Sequence, residues 1–195
     1  MRDEEIIRLI QKGDSQLYGT LIDRYSGKVY STAYSYTHNH EEARDLVQEI
    51  LIKAFNSLAT FKLEAKFSTW LYRIAVNSCI DWSRKKKNKT NILTLNFEEG
   101  NILDTIPDEG DNPEEALLRE ENKEAVRAAV DNLPEIYKTA LILYYFEELQ
   151  VQEISSILDC PKKTVETRLY RARSMLKELL KRELSGGERY ELQNL

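Results

Sequence analysis

The sequence predicts an all-α chain of two small helical domains joined by a flexible acidic linker, the C-terminal domain containing a helix-turn-helix. Three observations predict it. Glycine and proline number only 7 and 4, while Leu, Glu, Lys, Ala and Ile abound, which supplies helix formers and few breakers. Apolar residues recur at helical spacing through most of the chain. From Asn88 to Asn112 that recurrence stops, in the polar, turn-rich stretch NKTNILTLNFEEGNILDTIPDEGDN, which reads as a linker.

A short helix is expected around Asp3 to Gln11. The stripe Leu17, Leu21, Tyr25, Val29, Ala33 and Tyr36 predicts a second, with boundaries blurred by Gly19 and Gly27. In EEARDLVQEILIKAFNSL, residues 41–58, the apolar set Ala43, Leu46, Val47, Ile50, Leu51, Ala54, Phe55 and Leu58 marks the buried face. Asp45, Gln48, Glu49, Ile52 and Lys53 are left on the other. A fourth helix is expected from Ser68, a plausible N-cap, to about Lys86, packed through Trp70, Leu71, Ile74, Ala75, Ser78 and Cys79.

Beyond the linker, Asn112-Pro113-Glu114-Glu115 has the form of a helix start, with Asn capping, Pro at the first helical position and acids in the first turn. That helix should run to about Asn132, and the next from Glu135 to about Glu147. Val151–Asp159 and Lys163–Lys181, separated only by Cys160-Pro161-Lys162, predict the helix-turn-helix. The expected divisions are 1–87, a linker 88–112, 113–182, and a tail 183–195.

The net charge of −5 conceals a segregation of sign. Residues 97–124 carry eleven acids against Arg119 and Lys123; residues 162–182 carry eight bases against Glu166 and Glu178. Four successive cations, Arg84, Lys85, Lys86 and Lys87, close the fourth helix. Local patches therefore say more about partners than net charge does.

Other classes are disfavoured. The N-terminus MRDEEIIRLIQKGD has charges scattered through its apolar stretch, unlike a signal peptide. No apolar run approaches the roughly 20 residues that span a bilayer, so no membrane insertion is expected and a soluble, cytoplasmic protein is. Cys79 and Cys160, with His38 and His40, do not make a zinc set and read as small buried residues. With no phosphate-binding glycine loop, metal cluster or nucleophile–base pair, neither an enzyme nor a bound cofactor or metal is expected.

In the last long helix Val165, Leu169, Ala172, Leu176 and Leu179 form a buried stripe. The opposite side offers Lys163, Glu166, Thr167, Tyr170, Arg171, Ser174 and Lys177. Such a face suits a major groove, with base edges at its N-terminal part and phosphates on the flanks. It equally suits an ordinary solvated helix.

Four segments in order carry a resemblance: DLVQEILIKAF at 45–55, FSTWLYRIAVNSCIDWSRKK at 67–86, LPEIYKTALILYYFEELQVQEISSIL at 133–158 and CPKKTVETRLYRARSMLKELL at 160–180. Together they resemble the bacterial extracytoplasmic-function (ECF) sigma factors of the sigma-70 family, over nearly the whole chain apart from the linker and tail. The resemblance implies a promoter-specificity subunit that binds the RNA polymerase core at its largest-subunit clamp and its flap, helps to open promoter DNA, serves stress-responsive transcription and is held by an anti-sigma factor.

It assigns Asp45, Gln48, Glu49 and Lys53 to core binding. To the minus-ten element it assigns Phe61, Lys66, Arg73, Asn77, Arg84, Lys85, Lys86 and Lys87, with Phe61 and Asn77 lining a pocket for an extruded base. To the minus-thirty-five element it assigns Lys162, Lys163, Glu166, Thr167, Tyr170, Arg171 and Ser174. Lys163 stands where the family often has glycine and Glu166 where a basic or small polar residue is common, and a glutamate there suits cytosine N4 and would alter promoter choice. The acidic linker is expected to thread near the RNA exit path.

A stand-alone helix-turn-helix regulator is the alternative, and leaves the DLVQE segment and the Trp70–Lys87 helix unexplained. An interaction scaffold with cationic patches explains the charge but not the order of motifs.

Overall fold

The computed structural model describes residues 1–92 and 125–184, which are helical with short turns and contain no strand. Four helices form the N-terminal half: α1 (Asp3–Gln11), α2 (Tyr18–Thr37), α3 (His40–Leu58) and α4 (Phe67–Ile92). The C-terminal half contains α5 (residues 125–131) and α6 (Glu135–Leu141), which widens into a π-turn over Ile142–Phe146, then α7 (Val151–Ile157) and α8 (Lys162–Leu184). The expected helix start at Asn112-Pro113, the acidic run and the tail lie outside the described residues.

The tightest corner joins α2 to α3 through two residues with distinct jobs. His38 ends α2 in the left-handed region, φ 51°, and its N–H donates to Tyr34 O at 2.9 Å; histidine is among the residues enriched at such positions. Asn39 then caps α3, its Oδ1 accepting from Glu41 N at 2.9 Å and Glu42 N at 3.0 Å. Gly19 and Gly27 do not interrupt α2.

The core of the half is the meeting of Leu21, Val29, Leu46, Ile50, Leu58 and Leu71 with smaller side chains such as Ala43 and Ala54. Burying side chains of this size stabilises by roughly 1.5–3 kcal/mol each. The α3 stripe is as the periodicity predicts except at its edge: Phe55 is 40% exposed and leans on the Tyr18 ring at 4.9 Å.

α4 begins at Phe67, so Lys66 takes the cap position and the expected cap, Ser68, lies in the first turn, two positions late. The helix also continues to Ile92, five residues into the expected linker. Cys79 is fully buried and burial pushes its thiol up to about 12, as an inert core residue requires; Cys160 is only half-buried.

Within the C-terminal half, Ile154 and Ile157 of α7 pack on Val165 and Leu169 of α8. The connecting turn is fixed by Asp159, φ 49°, and by the Ser155 hydroxyl donating to Cys160 O at 2.7 Å. The helix expected over Glu135–Glu147 is not uniform. In its π-turn Glu147 N reaches back five residues to Ile142 O at 3.2 Å, and Tyr144, Tyr145 and Phe146 are left 37%, 46% and 53% exposed.

Candidate nucleic-acid and polymerase interface

Three surfaces collect the residues singled out in the sequence. On α3, Asp45, Gln48, Glu49 and Lys53 are all on the outer side, because the opposite stripe is committed to the core. Lys53 is held rather than loose: its ammonium lies 2.6 Å from Glu49 Oε1 and donates to the Ser78 hydroxyl of α4 at 3.2 Å. That pairing holds the Glu49 carboxyl below its ordinary value. The same face carries Ile52, 60% exposed, and Phe55 beside it. Periodicity misassigns Phe55 to the core, and the functional signal of both was an apolar side chain four and seven residues after Gln48, one and two turns on.

The second surface is the loop 59–66 and the helix it feeds. Leu63 holds φ 59°, and Gln11 of α1 donates from Nε2 to both Leu58 O and Phe61 O at 2.9 Å. The loop is thus pinned from below by a residue remote in sequence. Phe61 is itself buried, 8% exposed, with its ring 4.7 Å from Trp70 and 6.2 Å from Phe67. Its face is taken by core aromatics, so in this conformation it forms the floor of the loop and does not offer a free stacking surface.

Lys66 is exposed on the loop and Asn77 on α4. Arg84, Lys85, Lys86 and Lys87 are exposed along the far end of α4. Lys86 binds the Glu42 carboxylate at 2.8 Å and lies 4.7 Å over the Trp82 ring, which orients it toward α3. Arg73 departs most from expectation. It donates from Nε at 3.0 Å and Nη2 at 2.5 Å to Ser156 O, near the C-terminal end of α7.

The third surface is α8. Lys162, Lys163, Glu166, Thr167, Tyr170, Arg171 and Ser174 are exposed, Tyr170 at 73%, while Val165, Leu169 and Ala172 are buried. The Thr167 hydroxyl donates to Lys163 O at 2.7 Å and Arg171 Nη1 to the Tyr137 hydroxyl at 3.3 Å, which fixes two members of the face. No group of His, Cys, Asp and Glu able to hold a metal occurs among the described residues. None of the described helices is long and apolar enough to cross a membrane.

The family model described as Sigma-70 region 2 matches residues 21–89, which hold the first two surfaces, and that described as Sigma-70, region 4 matches residues 123–176, which hold the third. The two helical halves are therefore those of a sigma-70-type protein. The chain belongs to the ECF sigma factors of RNA polymerase. It is 36% identical over 177 residues to the ECF RNA polymerase sigma factor SigW of Bacillus subtilis, covering 90% of this chain and 95% of the relative. It is 35% identical over 182 residues to the ECF RNA polymerase sigma-E factor of Escherichia coli K12, covering 90% and 93%.

The fold is shared with CnrH in complex with the cytosolic domain of CnrY, at a TM-score of 0.66 and 22% identity over 93% of this chain and 98% of that one. It is also shared with the sigma factor RpoE in complex with the anti-sigma factor NepR from Bartonella quintana, at 0.61 and 23% over 84% and 96%.

Proposed function

We propose that this ECF sigma factor acts in the cytoplasm as a dissociable promoter-specificity subunit, docking on core RNA polymerase through the exposed face of α3 and reading promoter DNA through α4 and α8. The observation that carries this reading is the presence on one chain of both matched regions, each with an exposed basic face. A regulator working through its helix-turn-helix alone has no use for the first.

Each surface has a physical task. Asp45, Gln48 and Glu49, with Lys53 held among them, give polymerase a rigid polar face flanked by Ile52 and Phe55. At the minus-ten element Asn77 and the pinned loop capture an extruded base, with Phe61 as floor and Lys66 beside it. Extrusion costs a few kcal/mol, which hydrogen bonds in the pocket and phosphate contacts to the neighbouring cations offset. Arg84, Lys85, Lys86 and Lys87 hold the neighbouring phosphates, and Arg73 joins the minus-ten contacts once it leaves α7. At the minus-thirty-five element Lys162, Lys163, Thr167, Tyr170, Arg171 and Ser174 approach the major groove, and Glu166 accepts from cytosine N4. An anti-sigma factor covering α3 and α4 would keep the protein off the polymerase.

Reconstitution with core polymerase and a pool of promoter fragments, followed by permanganate footprinting of unpaired thymines, tests the proposal. Opening that requires both the core and this chain is expected. Duplex binding by the chain alone, without opening, would replace this reading with the stand-alone regulator.

A further inference from the structure

Gln11, the last residue of α1, has its side chain committed to a loop remote in sequence. Its Nε2 donates at 2.9 Å to the carbonyl of Leu58, where α3 ends, and at 2.9 Å to that of Phe61. Both hydrogens of the amide are thereby used, and the two carbonyls bracket the turn that opens the loop 59–66. Leu58 O also accepts from Phe61 N at 3.1 Å, whereas Gln11 is the one donor to Phe61 O among the described residues.

α1 can serve as a brace because it is itself fixed. Ile6 and Ile7 are 1% and 0% exposed, and the Asp3 carboxylate accepts from Arg24 Nη1 at 2.7 Å and from the Tyr25 hydroxyl. Gln11, by contrast, is exposed, so its polar tip rather than buried area joins the helix to the loop.

The loop needs a brace. Leu63 holds φ 59°, a left-handed conformation that persists in a residue with a side chain only where its surroundings impose it. Thr60, Lys62, Glu64 and Lys66 are exposed and supply little packing to impose it. Asn77 stands on a long helix, so the placement of the loop sets the gap between the two. Discrimination between bases depends on hydrogen-bonding groups at fixed positions, and a loop free to shift adapts to the wrong base as well.

We propose that Gln11 is a positioning residue for base choice at the minus-ten element: it holds the loop 59–66 in the placement that accepts one base over the others. This rests on the base capture proposed above for that loop and Asn77; the bracing itself does not. It also gives α1 a task, which the proposed function otherwise leaves without one.

Holoenzymes reconstituted from core polymerase and the full chain provide the test, on promoter fragments that carry each of the four bases in turn at single minus-ten positions. Gln11→Met keeps length and helix propensity and removes both donors. At the position where wild type discriminates most, its preference in permanganate-detected opening should fall roughly fivefold, the scale of one or two lost hydrogen bonds. Affinity for core polymerase and preference at the minus-thirty-five element should stay as in wild type. Gln11→Lys carries its donors on one terminal nitrogen, as the glutamine does here, and should restore the preference. Its added charge acts on the phosphates of every fragment alike and drops out of the ratio. In the free chain, hydrogen exchange at the Phe61 amide should quicken roughly tenfold in Gln11→Met while that of Ile50, in the core of α3, stays unchanged.

Unchanged preference in Gln11→Met overturns the proposal. So does an equal fall at both promoter elements, which marks a general loosening of the fold, or a loss in Gln11→Lys as large as in Gln11→Met. Failure of the wild-type holoenzyme to open any fragment overturns the proposed function and with it the role in base choice, while quickened exchange at Phe61 leaves the brace supported.

Discussion

The Tyr36 hydroxyl of α2 and the Thr139 hydroxyl of α6 meet at 2.8 Å across 103 positions of sequence, both residues buried. The ring of Tyr36 also carries the Lys138 ammonium at 4.9 Å from its centre. Tyr36→Phe keeps that ring and strands the Thr139 hydroxyl. A loss of about 1–2 kcal/mol is expected in urea unfolding followed by circular dichroism, the usual cost of a buried group left without its partner.

Alkaline pH should unfold the protein early. Burial pushes the Tyr18 hydroxyl up to about 12, and burial together with the Asp3 carboxylate does the same for Tyr25; burial raises Tyr36 and Tyr72 further. In the unfolded chain these groups lose their protons from about 10, the ordinary tyrosine value. Between that pH and the folded values the unfolded state binds fewer protons, so stability is complete below it and falls as pH rises. Tyr18→Phe, which removes one such group, should flatten the fall seen in thermal unfolding from about pH 8 to about pH 11.

Asp131 is the hinge of the charged rim. Burial works to raise its carboxyl, but hydrogen bonds from His38 and Lys138 outweigh it and hold the group below its ordinary value. Its contribution is therefore present above about pH 4 and lost as pH falls further. Asp131→Asn leaves the Lys138 ammonium, on a residue only 4% exposed, without a counter-charge. We expect a loss of about 2–3 kcal/mol at neutral pH, below the cost for a fully buried pair because the Asp131 side chain is 40% exposed. Chemical denaturation at pH 7 and pH 3 should show a larger loss at the first than at the second.

Ile52 touches solvent, so replacing it tests binding without disturbing the core. Ile52→Asp should keep the unfolding free energy within about 0.5 kcal/mol of wild type. Its affinity for core polymerase in a competition assay should drop roughly thirtyfold, about 2 kcal/mol, as for an anchor residue of an interface. Unchanged affinity would remove α3 from the docking surface.

Lys85 is exposed in the cation run of α4. Lys85→Ala should weaken holoenzyme binding to different promoters about equally. It should also reduce the slope of log affinity against log salt by about 1, the signature of one lost phosphate contact.

Periodicity makes α3 legible because its buried stripe is broad, while its cap, Asn39, shows only in the structure. It misjudges Phe55 because a residue at the stripe's edge is buried or exposed according to what neighbours it, here one face of Tyr18. Ser68 has the chemistry of a cap, yet the aromatic packing of Phe67 on Phe61 and Trp70 draws the helix two residues earlier, with Lys66 at the cap position. The helix-turn-helix is legible as two periodic runs with a three-residue break.

The contacts that sequence does not show are long-range: Gln11 pinning the loop at Leu58 and Phe61, and Arg73 turning to Ser156, join segments that no local spacing encodes. The π-turn at Ile142–Phe146 escapes for a related reason. One extra residue in a helical turn rotates the face presented by every later side chain, and only the packing of Ile142 and Leu143 into different clusters reveals it.

The Arg73 contact with the Ser156 carbonyl is made within one polypeptide. Contacts between separate chains loosen on dilution, whereas a guanidinium and a carbonyl joined through the same backbone meet at an effective concentration set by the chain between them. The fraction of molecules in which the two groups touch is then the same where copies are few as where they are many, and only a partner that binds one arrangement more tightly than the other can change it.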